Sequence, residues 1–166
     1  AFYMVSIAQA KRITKEFELH GRFYAIDSTT INLCMSVFRW AKFRSTKSGI
    51  KIHTQIDIAT EIPVFYRISH ANVHDTKSMD WFTYERNACY VLDRGYFDLS
   101  RLHAIGKAGA FFIIREKFHP DYEITEGEDM LEGDDNVLRD QTVRFTGKRN
   151  SGNYPIPLRR IVFYAS

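Results

Sequence analysis

The first part of the chain alternates apolar and polar positions in the manner of β-strands. Residues 23–33, FYAIDSTTINL, are rich in aromatic and β-branched side chains, which favour extended backbone. Residues 50–59 alternate isoleucines with polar partners, and residues 62–70 follow after a turn around Thr60 and Glu61. We expect the last two segments to pair as an antiparallel hairpin.

Helical spacing replaces this alternation further along the chain. Residues 75–87 open with Asp and Thr, two residue types that commonly cap a helix. Residues 89–93, CYVLD, form a short apolar run that is typical of a buried parallel strand. Residues 99–109 space their leucines and isoleucine on one helical side and end in glycine, and residues 110–118 predict another strand. The pattern therefore predicts an α/β fold whose mixed sheet is flanked by helices.

The composition of the sequence changes after Phe118. Residues 121–135 predict an acidic loop, and the segments TVRFTG and IPLRRIVFYA, separated by the turn-like KRNSGNYP, predict a second hairpin. We therefore divide the chain into a lead-in segment at 1–21, an α/β core at 22–118 and a β-rich insertion at 119–166.

Composition supports a folded domain with a core of its own. The chain has 166 residues, of which 45% are hydrophobic and 14% aromatic, and this excludes a disordered or low-complexity protein. A net charge of +3 does not by itself distinguish a nucleic-acid binder. The distribution is more informative, because residues 39–53 carry only basic charges and residues 121–135 only acidic ones. The basic stretch is either a phosphate-binding stripe or a solvated loop.

Other classes of protein are disfavoured by simple patterns. Cys34 and Cys89 are too far apart for a C-x-x-C motif, so neither a zinc site nor a disulfide framework is expected. No apolar run is long enough for a membrane span, and the N-terminus does not resemble a signal peptide. We expect a cytoplasmic protein. The chain begins without Met and stops inside an apolar, strand-like run, so we expect both ends to be cut from a longer protein.

Two aspartates occupy positions that suggest a metal site. Asp27 interrupts an apolar strand and Asp93 ends one. A carboxylate in such a place is costly unless it is paired or binds a metal. Two-metal phosphoryl transfer requires carboxylates that converge from different strands, because Mg²⁺ prefers oxygen ligands. A single aspartate at a strand end is more often a turn or cap residue, so the pair carries the prediction.

The motifs around these aspartates resemble a known family. AIDSTTINL and YVLDRGYFD, with GIKIHTQIDIAT and SHANVHDTKSM between them, are similar to the catalytic core of the IS4-type insertion-sequence transposases. The similarity spans residues 22–117. It implies a ribonuclease-H-like fold, Asp27 and Asp93 as the first two acids of a DDE triad, and Mg²⁺ or Mn²⁺ as the cofactor. It also implies double-stranded DNA as the partner, action as a homodimer on DNA, and association with the bacterial nucleoid.

The third acid of the resemblance has no counterpart in the sequence. The family carries its Glu in a Y-x-x-R-x-x-x-E-x-x-x-x-x-x-K pattern, which does not occur here. Glu116 falls on an expected strand, and Glu126, Glu128 and Glu132 fall in the expected acidic loop. We therefore expect the chain to be inactive alone. The alternatives are a nuclease of the same fold and an inactive remnant that only binds DNA or another protein.

Several basic residues are candidates for phosphate contact. Those near the Asp27 strand are Arg44, Lys47 and Lys51. Those near Asp93 and on the strand after it are Arg94, Arg115 and Lys117. His53 and His70 lie on the expected paired strands, where hydrogen-bonded structural roles are favoured over a zinc site. Trp81, Phe111 and Phe112 are assigned to the core.

Overall fold

The computed structural model describes residues 21–34, 40, 42–44, 47–116, 121–129 and 137–163. The described residues fall into two compact units, one that ends at Glu116 and one that lies beyond it. None of the described helices is long and apolar enough to cross a membrane.

The first unit is built on a mixed sheet. Its strands are β1 (Phe23–Leu33), β2 (Lys42–Arg44), β3 (Lys47–Asp57), β4 (Ile62–His70), β5 (Cys89–Leu92) and β6 (Phe111–Ile114). Strand β3 pairs antiparallel with β1, β2 and β4, whereas β5 pairs parallel with both β1 and β6. The main path through the sheet runs β4, β3, β1, β5, β6, with the short β2 paired to the start of β3. This mixed sheet with flanking helices confirms the ribonuclease-H-like fold class.

The predicted hairpin is confirmed as the β3–β4 pair. Its register places Ile52 opposite Ile68. In the turn, the Asp57 carboxylate accepts hydrogen bonds from the backbone N–H of Ala59 at 2.8 Å and of Thr60 at 3.1 Å. An aspartate that accepts such local bonds satisfies the turn backbone and fixes where the second strand begins.

The segment after the hairpin is less helical than its sequence predicts. Helix α1 spans only Asp75–Ser78 and passes into a 3-10 helix at Met79–Trp81, after which the backbone is extended. The predicted capping by Asp75 or Thr76 is wrong, because His74 occupies the N-cap position and makes no side-chain cap bond. The carboxylate of Asp75 instead accepts hydrogen bonds from Ser28 on β1 and Lys51 on β3.

Helix α2 (Leu99–Lys107) confirms the second helical prediction. Its N-cap is Asp98, whose carboxylate accepts from the backbone N–H of Arg101 at 3.1 Å. The helix ends before Gly109, which adopts a φ of +75° that favours glycine. The side chains that face the sheet are all buried; they are Leu99, Leu102 and Ile105.

The two faces of the sheet differ in how well they are covered. Tyr24 and Ile26 on β1, with Tyr90 and Leu92 on β5, are buried. The alternate positions on the outer strand are open to solvent, because Phe111 is 61% exposed and its neighbour on the same face, Ile113, is 56% exposed. The assignment of Phe111 to the core is therefore wrong. Within the described residues, no element packs over this end of the face.

The second unit is a three-stranded antiparallel sheet with one short helix. It consists of β7 (Tyr122–Asp129), β8 (Val137–Phe145), α3 (Lys148–Asn153) and β9 (Leu158–Phe163). Strand β8 lies in the middle. The predicted hairpin is confirmed as β8–β9. The predicted acidic loop is wrong over residues 122–129, which form β7, and the predicted turn contains α3.

Candidate active site

Asp27 and Asp93 come from adjacent parallel strands at the same level of the sheet. Ile26 on β1 is the register partner of Leu92 on β5, and each aspartate is the next residue along its chain. Asp93 keeps an extended backbone, with φ −74° and ψ 164°. Neighbouring strands lie about 4.8 Å apart, so this register brings the two carboxylates to one edge of the site. We predict that the two carboxylates lie roughly 4 to 7 Å apart, a distance that one or two shared ions would bridge.

The carboxylate of Asp93 also organises the turn that follows β5. Its Oδ1 accepts a hydrogen bond from the backbone N–H of Gly95 at 2.8 Å, which begins the 3-10 helix Arg94–Tyr96. Both Asp27 and Asp93 are exposed to solvent. Two hard, accessible carboxylates suit Mg²⁺ or Mn²⁺, but the described residues contain no cluster of three or more His, Cys, Asp or Glu side chains that could hold a metal ion.

Two of the proposed basic residues share this end of the sheet. Arg94 directly follows Asp93 and is exposed. Arg115 directly follows Ile114, the register partner of Leu92, so Asp27, Asp93 and Arg115 occupy the same step of three neighbouring parallel strands. The sequence alone could not show this, because the level of β6 relative to β5 depends on strand pairing.

The other basic candidates have different surroundings. Arg44 lies on β2 and Lys47 begins β3, so both belong to the β2–β3 hairpin. Lys117 lies outside the described residues. The Lys51 ammonium group donates to the backbone carbonyl of Val73 and to the Asp75 carboxylate, both at 3.0 Å, and the side chain is only 13% exposed. A phosphate contact by Lys51 would have to replace these bonds.

Asp75 joins three parts of the first unit. Its Oδ1 accepts from the hydroxyl of Ser28 at 2.7 Å and from Lys51 at 3.0 Å. Its Oδ2 lies 3.5 Å from the place where a Cβ on Gly95 would stand. Burial alone would raise the pKa of Asp75, but the hydrogen bonds from Ser28 and Lys51 and the charge of Lys51 outweigh burial and lower it below its ordinary value.

Tyr96 adds a buried hydroxyl group close to this network. The residue is 1% exposed, and its hydroxyl makes no hydrogen bond within the described part of the chain. Burial raises the pKa of Tyr96, and the nearby charges of Asp75 and Asp27 act in the same direction. A buried polar atom without a partner is a place where water or a ligand atom completes the hydrogen bonding.

Sequence reasoning missed the connection between Ser28 and Asp75. Both residues lie in motifs that it had singled out, D-S-T and V-H-D, but Asp75 was read as a helix cap. The two residues are 47 positions apart, so only the fold brings them together.

The histidine predictions concern structural roles. His53 is fully buried, bonds through Nε2 to the hydroxyl of Ser69 at 2.9 Å, and packs edge-on against Trp81. Burial lowers the pKa of His53. Its bond to Ser69 joins the paired strands β3 and β4, as the sequence predicted.

Comparison with known proteins agrees with this geometry. The family model described as "Transposase DDE domain" matches residues 18–157. The chain is 35% identical over 139 residues to "Putative transposase y4zB" of Sinorhizobium fredii, an alignment that covers 82% of this chain and 38% of the relative. The chain therefore belongs to the transposase DDE domain family. It spans well under half the length of this relative. No solved structure matches it significantly.

Proposed function

We propose that this chain is the part of an IS4-type transposase that carries the first two acids of a site for metal-dependent DNA cleavage and strand transfer. The observation that supports the proposal most directly is the shared register of Asp27 and Asp93 on adjacent parallel strands. Parallel strands deliver the residues at their carboxyl ends to one edge, where converging carboxylates can act on one phosphate.

The reaction has two steps. In the first, water attacks a phosphorus at the transposon end, the bond to the 3′-oxygen breaks, and a proton leaves the attacking water while the departing 3′-oxygen gains one. In the second, that free 3′-hydroxyl attacks a phosphorus of target DNA and displaces its 3′-oxygen. Bound Mg²⁺ or Mn²⁺ would activate the attacking oxygen and neutralise the charge that develops on the leaving oxygen. In this proposal Asp27 and Asp93 hold the ions.

Double-stranded DNA is the proposed partner. Arg94 and Arg115 lie at the same end of the strands as the aspartates, and Arg44 and Lys47 lie on the β2–β3 hairpin. Guanidinium and ammonium groups there would hold phosphates by charge and hydrogen bonds. We further propose that the protein acts as a homodimer on DNA, in the cytoplasm and at the nucleoid of a bacterium.

We propose that a third carboxylate, absent from the described part of this site, is required for turnover. The described residues offer no cluster of three metal-ligating side chains, and the Glu-bearing pattern is missing from the sequence. Two acids can bind an ion without fixing the geometry for in-line attack. Two alternatives remain testable: a nuclease of the same fold, which would cleave without joining, and a remnant that only binds DNA.

Mn²⁺ binding and nicking of a supercoiled plasmid test the proposal on the 166-residue chain. We expect saturable Mn²⁺ binding, seen by calorimetry or by loss of the free-ion paramagnetic signal, that Asp27→Asn or Asp93→Asn weakens at least about tenfold. Glu126→Gln is the matched control, since it removes an exposed carboxylate in the second unit. We expect DNA binding without nicking.

The outcomes separate the alternatives. Mn²⁺ binding that is unchanged in both aspartate variants would overturn the metal site. Nicking that is lost in both variants would show that the third carboxylate is not needed, and a strand-transfer assay would then distinguish a nuclease from a transposase. Nicking that survives Asp93→Asn would exclude Asp93 from the chemistry.

A further inference from the structure

We infer that Asp75 is a positioning residue that fixes the geometry of both aspartates from behind the sheet, with Lys51 as its counter-ion. This inference rests on the proposed function, because it concerns the same site. Asp75 contacts neither aspartate directly. It bonds to Ser28, the residue after Asp27, and lies against Gly95, whose N–H bonds to Asp93.

The alternation of side chains along β1 places the network on the opposite face from Asp27. Successive residues of a strand point to opposite faces, so Ser28 points away from the side that Asp27 occupies. Ser28 is the register partner of the buried His53 on β3. The 2.7 Å hydrogen bond from Ser28 to Asp75 therefore restrains β1 at the residue that follows Asp27.

The other oxygen of Asp75 lies beside the turn after β5. Glycine has no Cβ, but Oδ2 lies 3.5 Å from where a Cβ on Gly95 would stand, so the Asp75 carboxylate occupies the space beside this glycine. The same glycine donates its N–H to Oδ1 of Asp93 at 2.8 Å, so the position of Gly95 sets the orientation of that carboxylate. One side chain thus bonds to the residue beside Asp27 and borders the backbone beside Asp93, as residues that support metal ligands do in other sites.

Lys51 explains why this carboxylate supports the site instead of joining it. The ammonium group is 3.0 Å from Asp75 Oδ1 and also bonds to the carbonyl of Val73, with only 13% of the side chain exposed. A carboxylate whose oxygen already accepts from a largely buried ammonium group is partly neutralised, which weakens it as a ligand for a cation. Within the described residues, Asp75 also belongs to no cluster that could hold a metal.

The test uses Asp75→Asn, Lys51→Met and the two combined. Asp75→Asn preserves the shape of the side chain but leaves Lys51 without its counter-ion, so we expect the melting temperature to fall by roughly 5 °C. We expect Mn²⁺ affinity to fall by about tenfold or more. The combined variant removes both charges, so it should regain most of the melting temperature while Mn²⁺ affinity stays low.

Asp80→Asn is the matched control. Asp80 also belongs to the segment after β4 and forms an ion pair with Arg101 at 2.8 Å, but Arg101 lies on α2. We expect the Mn²⁺ affinity of Asp80→Asn to stay within about twofold of that of the starting chain, because this variant alters no bond beside either proposed metal ligand. Unchanged affinity in Asp75→Asn, or recovery of both affinity and melting temperature in the combined variant, would overturn the positioning role.

A second measurement keeps this inference separate from the proposed function. If the starting chain showed no Asp27-dependent Mn²⁺ binding, the metal site itself would be rejected. Hydrogen exchange at the amides of Ser28 and Gly95 would then decide the inference without metal. We expect exchange at least about tenfold faster in Asp75→Asn than in Asp80→Asn. Equal rates at both amides would overturn it.

Discussion

The unit that carries the two aspartates and the three-stranded unit after it differ in what they bury. The first encloses large apolar side chains between sheet and helix, among them Ile26, Leu102 and Ile105, together with the hydrogen-bonded polar group of His53. The second buries a smaller set around Val143, Phe145 and Tyr154. Among its described residues, the large apolar side chains that remain exposed are Ile124, Leu138, Ile156, Ile161 and Phe163.

This difference shows where the geometry of the chain is most strongly determined. A closely packed core resists displacement, and residues attached to it keep their positions. The aspartates are attached to such a core through β1 and β5. The second unit buries fewer apolar side chains and has fewer contacts to lose, so its surface positions tolerate substitution more readily.

The largest expected effect comes from removing a core side chain of the first unit. Leu102 is fully buried on α2, so Leu102→Ala should lower the free energy of unfolding by about 2 to 5 kcal/mol, because it loses buried contacts and leaves a cavity. Urea denaturation measures the loss. Ile161→Ala, at a residue 48% exposed on β9, is the control and should change stability by about 0.5 kcal/mol or less. Equal losses in the two variants would remove the contrast between the units.

A backbone change in the second unit should have an intermediate effect. Gly127 adopts a φ of +131°, and an added Cβ would stand 2.5 Å from the carbonyl oxygen of Asp140. We expect Gly127→Ala to destabilise the second unit by about 1 to 3 kcal/mol. Gly152→Ala is the control, because a Cβ there meets nothing within 4 Å.

Gly127→Ala also tests whether Mn²⁺ binding depends on the second unit. Mn²⁺ binding, which we place in the first unit, should be unchanged in Gly127→Ala when measured below its unfolding temperature. Weakened Mn²⁺ binding in the folded variant would show that the metal site depends on the second unit.

The smallest expected effect is a pH dependence from His53. Burial lowers its pKa in the folded chain, against an opposing effect of the Asp75 charge, while the unfolded chain keeps a pKa of about 6.5. Below that pH the unfolded chain takes up a proton that the folded chain resists, so the free energy of unfolding is fully retained above about pH 7 and falls as the pH decreases. Urea titrations between about pH 7.5 and 5.5 should show this slope, and His53→Gln should reduce it. An identical slope in both proteins would exclude His53 as its source.

The elements with clear periodicity could be predicted from the sequence. Strand β1 has the predicted bounds, and the β3–β4 hairpin, β5 and α2 occur where alternation or helical spacing indicated them. Their signals are local, since each element presents one apolar face to the core. The positions of Asp27 and Asp93 followed from the same strands, so their placement on neighbouring strands could be predicted too.

The remaining features depend on contacts between distant residues. Asp75 has the local signature of a helix cap, but Ser28 and Lys51 compete for its carboxylate and α1 stays short. Residues 122–129 are acidic and contain glycine, yet pairing with β8 makes them a strand. Phe111 is apolar and lies on a strand, but its exposure depends on what covers that face of the sheet, which periodicity cannot reveal.

The matched register of β1 and β5 also determines which insertions and deletions the gene can tolerate. Because successive residues alternate between faces, adding or deleting one residue within either strand would turn one carboxylate to the other side of the sheet. Such a change would leave composition and hydrophobicity nearly unaltered. A connecting loop carries no such constraint on parity, since it can absorb an extra residue without rotating a strand. Length variation among related genes should therefore avoid the two strands.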